Sequence, residues 1–221
     1  MRIMIASDIH GSTKYCRAMM EAFERENPDR LLLLGDLLYH GPRNGLPVEY
    51  DPKQVLEMLN SLKDRILCVR GNCDTEVDQM VLDFPIMAEY CTLFLGNSCP
   101  DSEDRENKNR DASEDSHRGG HGRMVFATHG HHFHKFTLPP LQPGDILLHG
   151  HTHQPACEEV PLPGHAGDEQ EKAAVWYLNP GSVSLPKGDS AHSYMMLESS
   201  GEVCIFSWKK LDGTVYHQLV L

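Results

Sequence analysis

At 221 residues, 40 % hydrophobic and 24 % charged, the chain is long enough for one domain with a full core. Its formal charge of −12 disfavours nucleic acid or an anionic membrane as partner, because both require Lys and Arg in excess facing a polyanion. The longest purely aliphatic run, Leu31 to Leu34, is far short of a membrane span, and the first apolar stretch meets Ser7 and Asp8 before a signal peptide can develop, so the sequence reads as cytoplasmic. Seven scattered cysteines with no CxxC spacing suggest neither a disulfide framework nor a thiolate zinc site.

Residues 2–6 read as a strand, and Ser12 caps a helix running to about Glu26 with Cys16, Met19, Met20 and Phe23 on one face. A second strand at 30–34 precedes Asp51-Pro52, a cap and first-turn pair for a helix carrying Val55, Leu56, Leu59 and Leu62. The apolar run 66–69 is a third strand. Such β-α-β-α-β alternation implies parallel strands joined by right-handed crossovers. From Glu89 onward the pattern changes to short strands at 90–95, 124–128, 145–149, 156–160, 175–178, 193–197, 202–208 and 214–220. The last three form a meander, with Gly201 and Asp212-Gly213 at the hairpin turns. Two sheets packed face to face with helices outside are expected.

Residues 97–123 contain no Val, Ile, Leu, Met or aromatic residue, so they have nothing to bury. They and the shorter stretch 161–172 read as mobile insertions in one domain spanning 1–221.

Five polar motifs each follow an apolar run: Asp8-Ile9-His10, Gly35-Asp36, Gly71-Asn72-Cys73-Asp74, His129-Gly130-His131 and Gly150-His151-Thr152-His153. Side chains hung on the carboxyl ends of different strands converge at one sheet edge although they are distant in sequence. In Gly150-His151-Thr152-His153, alternate residues of an extended segment face the same way and present both imidazoles together. Imidazole, carboxylate and amide oxygen together suit borderline divalent ions, Mn²⁺ first and then Fe²⁺, Co²⁺, Ni²⁺ or Zn²⁺.

The ordered set resembles the signature of the calcineurin-like metallophosphoesterases. The runs from Met1 to Gly11, His40-Gly41-Pro42-Arg43-Asn44, Arg70-Gly71-Asn72-Cys73-Asp74 and Asn179-Pro180-Gly181-Ser182-Val183-Ser184 are similar to the small bacterial YfcE-type phosphodiesterases. The resemblance implies a four-layer α/β/β/α sandwich with a dinuclear centre. It makes Asp8, His10, Asp36 and His153 the ligands of one ion and Asp36, Asn72, His129 and His151 those of the other, with Asp36 bridging. Hydrolysis of a small phosphodiester would proceed by in-line attack of a hydroxide shared by the ions, with Asp36, Asn72 and His129 acting through them. Two divalent ions bring four positive charges and Asp8 and Asp36 remove two, which leaves a centre that attracts phosphate.

Cys73 stands where much of the superfamily has a histidine thought to assist the leaving group, so an acidic leaving alcohol is expected to be preferred. Arg43, Asn44 and His131 are the candidate substrate contacts, Arg43 because guanidinium pairs with phosphate oxygens in a bidentate manner. Asp74 is expected to hold a ligand imidazole or the loop itself, and His149 to be packed beside the site. His117, His121, His132, His134, His165, His192 and His217 are set aside as non-ligands. The alternatives are a phosphomonoesterase with the same centre and a non-catalytic protein-binding scaffold of the same fold, such as one retromer subunit. Resemblance also suggests a homo-oligomer.

Overall fold

The computed structural model describes residues 1–96, 122–163, 173–201 and 203–221. The expected insertions at 97–123 and 161–172 therefore lie almost wholly outside the described residues. At their described edges, Arg123 opens a strand and Pro161 closes one.

The first half alternates as expected: β1 (Arg2–Ala6), α1 (Thr13–Glu26), β2 (Arg30–Leu33), α2 (Pro52–Asn60), β3 (Ile66–Cys68) and a short α3 (Glu76–Gln79). Both anticipated caps are present, for Ser12 accepts the Tyr15 N–H and Asp51 accepts those of Lys53 and Gln54. Helix α3 was not anticipated because four residues are too short to show a period, although its Thr75–Asp78 capping box was there to be read. The strand-rich half comprises β4 (Tyr90–Leu95), β5 (Arg123–Thr128), β6 (Ile146–Leu148), β7 (Ala156–Pro161), β8 (Ala174–Asn179), β9 (Ser193–Ser199), β10 (Cys204–Lys210) and β11 (Val215–Val220).

Two mixed sheets result, ordered β11-β10-β9-β1-β2-β3 and β4-β5-β6-β8-β7. In the first, β1, β2 and β3 run parallel while the β9–β10–β11 meander is antiparallel. In the second, β5, β6 and β8 run parallel.

Alternation along each strand sorts its side chains between two cores, so strands covered on both faces read as unbroken apolar runs. Met4, Ala6, Leu31 and Leu33 face Cys16, Met19 and Phe23 of α1 and Val55 and Leu59 of α2. Ile3, Ile5, Leu32 and Leu34 face Val125, Ala127, Ile146 and Leu148 of the second sheet. The outer face of that sheet, with Phe126, Leu147, Val175 and Tyr177, is covered among the described residues by Phe133, Leu138 and Leu141 of a loop, with no helix there. No described helix is long and apolar enough to cross a membrane.

The architecture leaves the carboxyl ends of both parallel triplets at one edge. Asp8 and His10 follow β1, Asp36 follows β2, Asn72 follows β3, His129 follows β5, and His151 and His153 follow β6.

Candidate metal centre

The loops leaving β1 and β2 continue the pairing of their strands, for Asp8 N–H donates to the Gly35 carbonyl at 3.1 Å and His10 N–H to the Asp36 carbonyl at 2.9 Å. Asp8, His10, Asp36, His151 and His153 all take left-handed backbone angles, with φ of 59°, 50°, 56°, 63° and 62°. Residues other than glycine adopt this region at a cost of roughly 1–3 kcal/mol each, and such strain collects where side chains must be aimed. Close approach is enforced by glycine. A Cβ on Gly71 would collide with the Asp36 carboxylate and backbone, and one on Gly150 with Ser7 and Asp8.

These constraints bring all seven predicted ligands together. His153 Nε2 lies 3.3 Å from Asp8 Oδ1 and 3.2 Å from His10 Nε2. Asp36 Oδ2 lies 3.6 Å from His10 Nε2 and 3.5 Å from His129 Nε2, so one carboxylate oxygen faces both groups. On the far side, His129 Nε2 lies 3.1 Å from Asn72 Oδ1 and 3.2 Å from His151 Nδ1. Donors bound to one ion at about 2.0–2.2 Å stand roughly 3–3.5 Å from one another, the spacing found here.

Three imidazoles are fixed from behind. Nδ1 of His10, His129 and His153 donates to the carbonyls of Tyr39 at 2.7 Å, Leu34 at 2.6 Å and Leu185 at 2.7 Å. Placing the proton on Nδ1 leaves the Nε2 lone pair directed at the cluster, as a metal requires. Asp8 Oδ1 is buried and has no hydrogen-bond partner among the described residues, a state costly for a carboxylate unless a cation meets it. The donor set therefore fits a pair of divalent ions.

Electrostatics agree. Burial opposes charge on Asp8, yet His10 and His153 against it hold its carboxyl well below the usual range. Burial likewise opposes protonation of His129, but the hydrogen bond to Asp36 raises it to about 9. Burial and the neighbouring His129 depress His151.

Asp74, buried with 1 % exposure, holds the loop and no imidazole. Its Oδ2 accepts the N–H of Asp36 at 2.9 Å and of Gly71 at 2.7 Å, while Oδ1 accepts that of Leu37 at 2.9 Å. Ser182 and Ser184 hydroxyls both donate to the Asp8 carbonyl, at 2.9 and 3.1 Å, and the Asn179 amide donates to the Gly150 carbonyl at 2.8 Å, so the Asn179–Ser184 run braces two of the ligand loops. His149 is packed as expected, its ring 4.0 Å from that of Tyr177.

A cleft of about 400 Å³ opens over the centre, lined by Asp36, Asn72, Cys73, His151 and His153 on its floor and by Arg43, Asn44 and Lys187 at its sides. The Asn44 side-chain amide is engaged by the His40 carbonyl at 2.8 Å. Cys73 donates its backbone N–H to Asp36 Oδ1 at 2.8 Å, and burial together with the Asp36 charge pushes its thiol above the ordinary range, so it stays protonated at neutral pH. His131 is not part of the lining; its ring lies 5.4 Å from that of His129 and 6.2 Å from that of His151. Lys187 is the cleft residue that sequence reasoning missed. It is brought there by its backbone, whose N–H donates to the His153 carbonyl at 3.1 Å, and no local motif announced it.

Comparison with known proteins accords with this geometry. Residues 1–202 match the Calcineurin-like phosphoesterase superfamily domain. The chain is 39 % identical over 199 residues to Phosphodiesterase YfcE of Escherichia coli strain K12, covering 90 % of this chain and 88 % of that protein. It superimposes on the solved structure of YfcE, a phosphoesterase from E. coli, with a TM-score of 0.75 and 36 % identity over 99 % of this chain and 98 % of the other. Vacuolar Protein Sorting 29 from Cryptosporidium parvum shares the fold, with a TM-score of 0.54 at 16 % identity over 100 % and 97 % of the two chains. A strand-end cluster of carboxylates and imidazoles, braced by the Asn179–Ser184 run and matched over most of its length, thus places this chain in the calcineurin-like phosphoesterase superfamily.

Proposed function

We propose that the protein is a metal-dependent phosphodiesterase with a dinuclear centre, one ion held by Asp8, His10, Asp36 and His153 and the other by Asp36, Asn72, His129 and His151. The observation that carries this reading is Asp36 Oδ2, placed 3.6 and 3.5 Å from imidazole nitrogens of two separate donor groups, the position of a bridging ligand. The metal-free scaffold reading is disfavoured because every donor position carries a competent side chain. Mn²⁺ is the first candidate, with Fe²⁺, Co²⁺, Ni²⁺ and Zn²⁺ also compatible with an oxygen and imidazole donor set.

When bound, such a pair supplies Lewis acidity that polarises phosphoryl oxygens and acidifies a water for in-line displacement. The chain's residues do the positioning. Asp36 and Asp8 fix the charge balance of the floor, and the carbonyls behind His10, His129 and His153 hold the rings so that no reorganisation is needed during the reaction. Arg43 and Lys187 flank the cleft and orient the anionic substrate. Cys73, a neutral thiol on the floor, contributes little to a developing alkoxide, which suits a diester with an acidic leaving alcohol.

A second reading, phosphomonoester hydrolysis at the same centre, is favoured by Lys187, since a dianion calls for more positive surroundings than Arg43 alone provides. The experiment is hydrolysis of an activated aryl phosphodiester and its monoester, with and without added Mn²⁺, by the parent and by Asp36→Ala. Mn²⁺-dependent diester turnover that Asp36→Ala abolishes is expected. Equal turnover by Asp36→Ala would overturn the dinuclear reading, and a monoester preference would exchange the two substrates.

A further inference from the structure

A second group of metal-capable side chains lies outside the centre. Tyr90 at the start of β4 pairs with Thr128 at the end of β5, so Glu89, just before β4, stands beside the turn that leaves β5. The Thr128 hydroxyl fixes that register by donating to the Glu89 carbonyl at 3.0 Å. Glu89, His131 and His132 each direct one donor atom into a space where all three atoms lie within 4.8 Å of one another.

We propose that Glu89, His131 and His132 form a third divalent-cation site, an outer site beside the dinuclear centre, suited to a borderline ion such as Zn²⁺. Two imidazoles and one carboxylate are a common donor set for such ions, and three protein donors leave a coordination position for water or an anionic oxygen. Glu89 Oε2 and His132 Nδ1 are 3.2 Å apart, the separation of two donors on one tetrahedral ion. His131 Nδ1 is buried yet has no hydrogen-bond partner among the described residues, and its ring lies 4.0 Å from that of His132, the two planes tilted by 43°. Arg70 approaches the other oxygen, Glu89 Oε1, at 3.4 Å, so it holds the carboxylate while leaving Oε2 available. The site assigns an ion, and not substrate, to His131, and gives a role to His132, which the motif pattern left unused.

The test is equilibrium dialysis of the full metal-stripped chain against Zn²⁺, followed by metal analysis, for the parent, His132→Leu and Glu89→Gln. Each variant is expected to retain the parental fold by circular dichroism and to bind one ion fewer. Parental stoichiometry in both folded variants overturns the proposal. Asp36→Asn separates this inference from the dinuclear reading. Loss of an ion when His132→Leu is added to Asp36→Asn supports the outer site even if the inner centre is empty, whereas unchanged stoichiometry on that addition overturns it.

Discussion

Asp74 accepts the backbone N–H of Asp36 at 2.9 Å, and through the same carboxylate it also secures Leu37 and Gly71. One buried side chain thereby locks the turn after β2 to the turn after β3. Asp74→Ala leaves three buried donors unmet and is expected to destabilise the fold by about 3 kcal/mol or more, read as a fall in Tm. Asp74→Asn, which keeps one acceptor oxygen, should lose less. Equal stability of all three forms would show that the turns are held by other means.

Asp36→Asn keeps the shape of the proposed bridging side chain and removes its charge. We expect turnover of an aryl diester to fall by about 10³-fold or more, since several kcal/mol of charge stabilisation depends on the ions it helps to hold. Metal content should fall in parallel. Full activity with reduced metal content would mean that a single ion suffices.

Metal loading should depend on pH through His129, whose imidazolium persists to about 9 because Asp36 stabilises it against burial. Its folded pKa exceeds the ordinary histidine value of 6.5, so its contribution to the metal-free fold is complete below that value and disappears as pH rises through about 9. A cation needs the neutral ring, and proton and metal therefore compete. Between pH about 7 and about 9, Mn²⁺ affinity measured by titration calorimetry should tighten by about tenfold per unit, while the metal-free Tm declines. An affinity indifferent to pH across that window would remove His129 from the ligand set.

Arg43→Ala and Lys187→Ala should each raise KM for a small anionic ester by about tenfold and leave kcat within a factor of a few, if these two cations lining the cleft bind substrate as proposed and take no part in the chemical step. A loss confined to kcat would place them at the reacting atoms instead.

Cys73→His introduces an ionisable group on the cleft floor. Turnover of diesters with poor leaving alcohols should gain by up to about 10²-fold relative to aryl diesters. The gain is limited by room, since the Cys73 sulfur already sits against the turn at Gly41, where an added Cβ would be 3.1 Å away. An unchanged ratio of alkyl to aryl rates would assign the thiol to packing alone.

The parallel run of β1, β2 and β3 was legible because three apolar runs alternate with two well-capped helices. The clustering of the candidate ligands was legible because each polar motif interrupts an apolar run at the same point, the end of a strand. What escaped has no residue-type signature. The carbonyls of Tyr39, Leu34 and Leu185 that fix the imidazoles are backbone groups, available at any residue. Lys187 reaches the cleft through one main-chain hydrogen bond, and His132 meets Glu89 only through the β4–β5 pairing. Loop covering in place of a helix on the second sheet was hidden for a similar reason, since Phe133, Leu138 and Leu141 follow no period.

The left-handed backbone at Asp8, His10, Asp36, His151 and His153 sets endurance against activity in this enzyme. Glycine at any of the five would relax the main chain by about 1 kcal/mol, so a population selected only for heat tolerance would drift toward glycine there and surrender its chemistry. The five strained side chains thus mark how far this backbone can be stabilised before the candidate centre is dismantled.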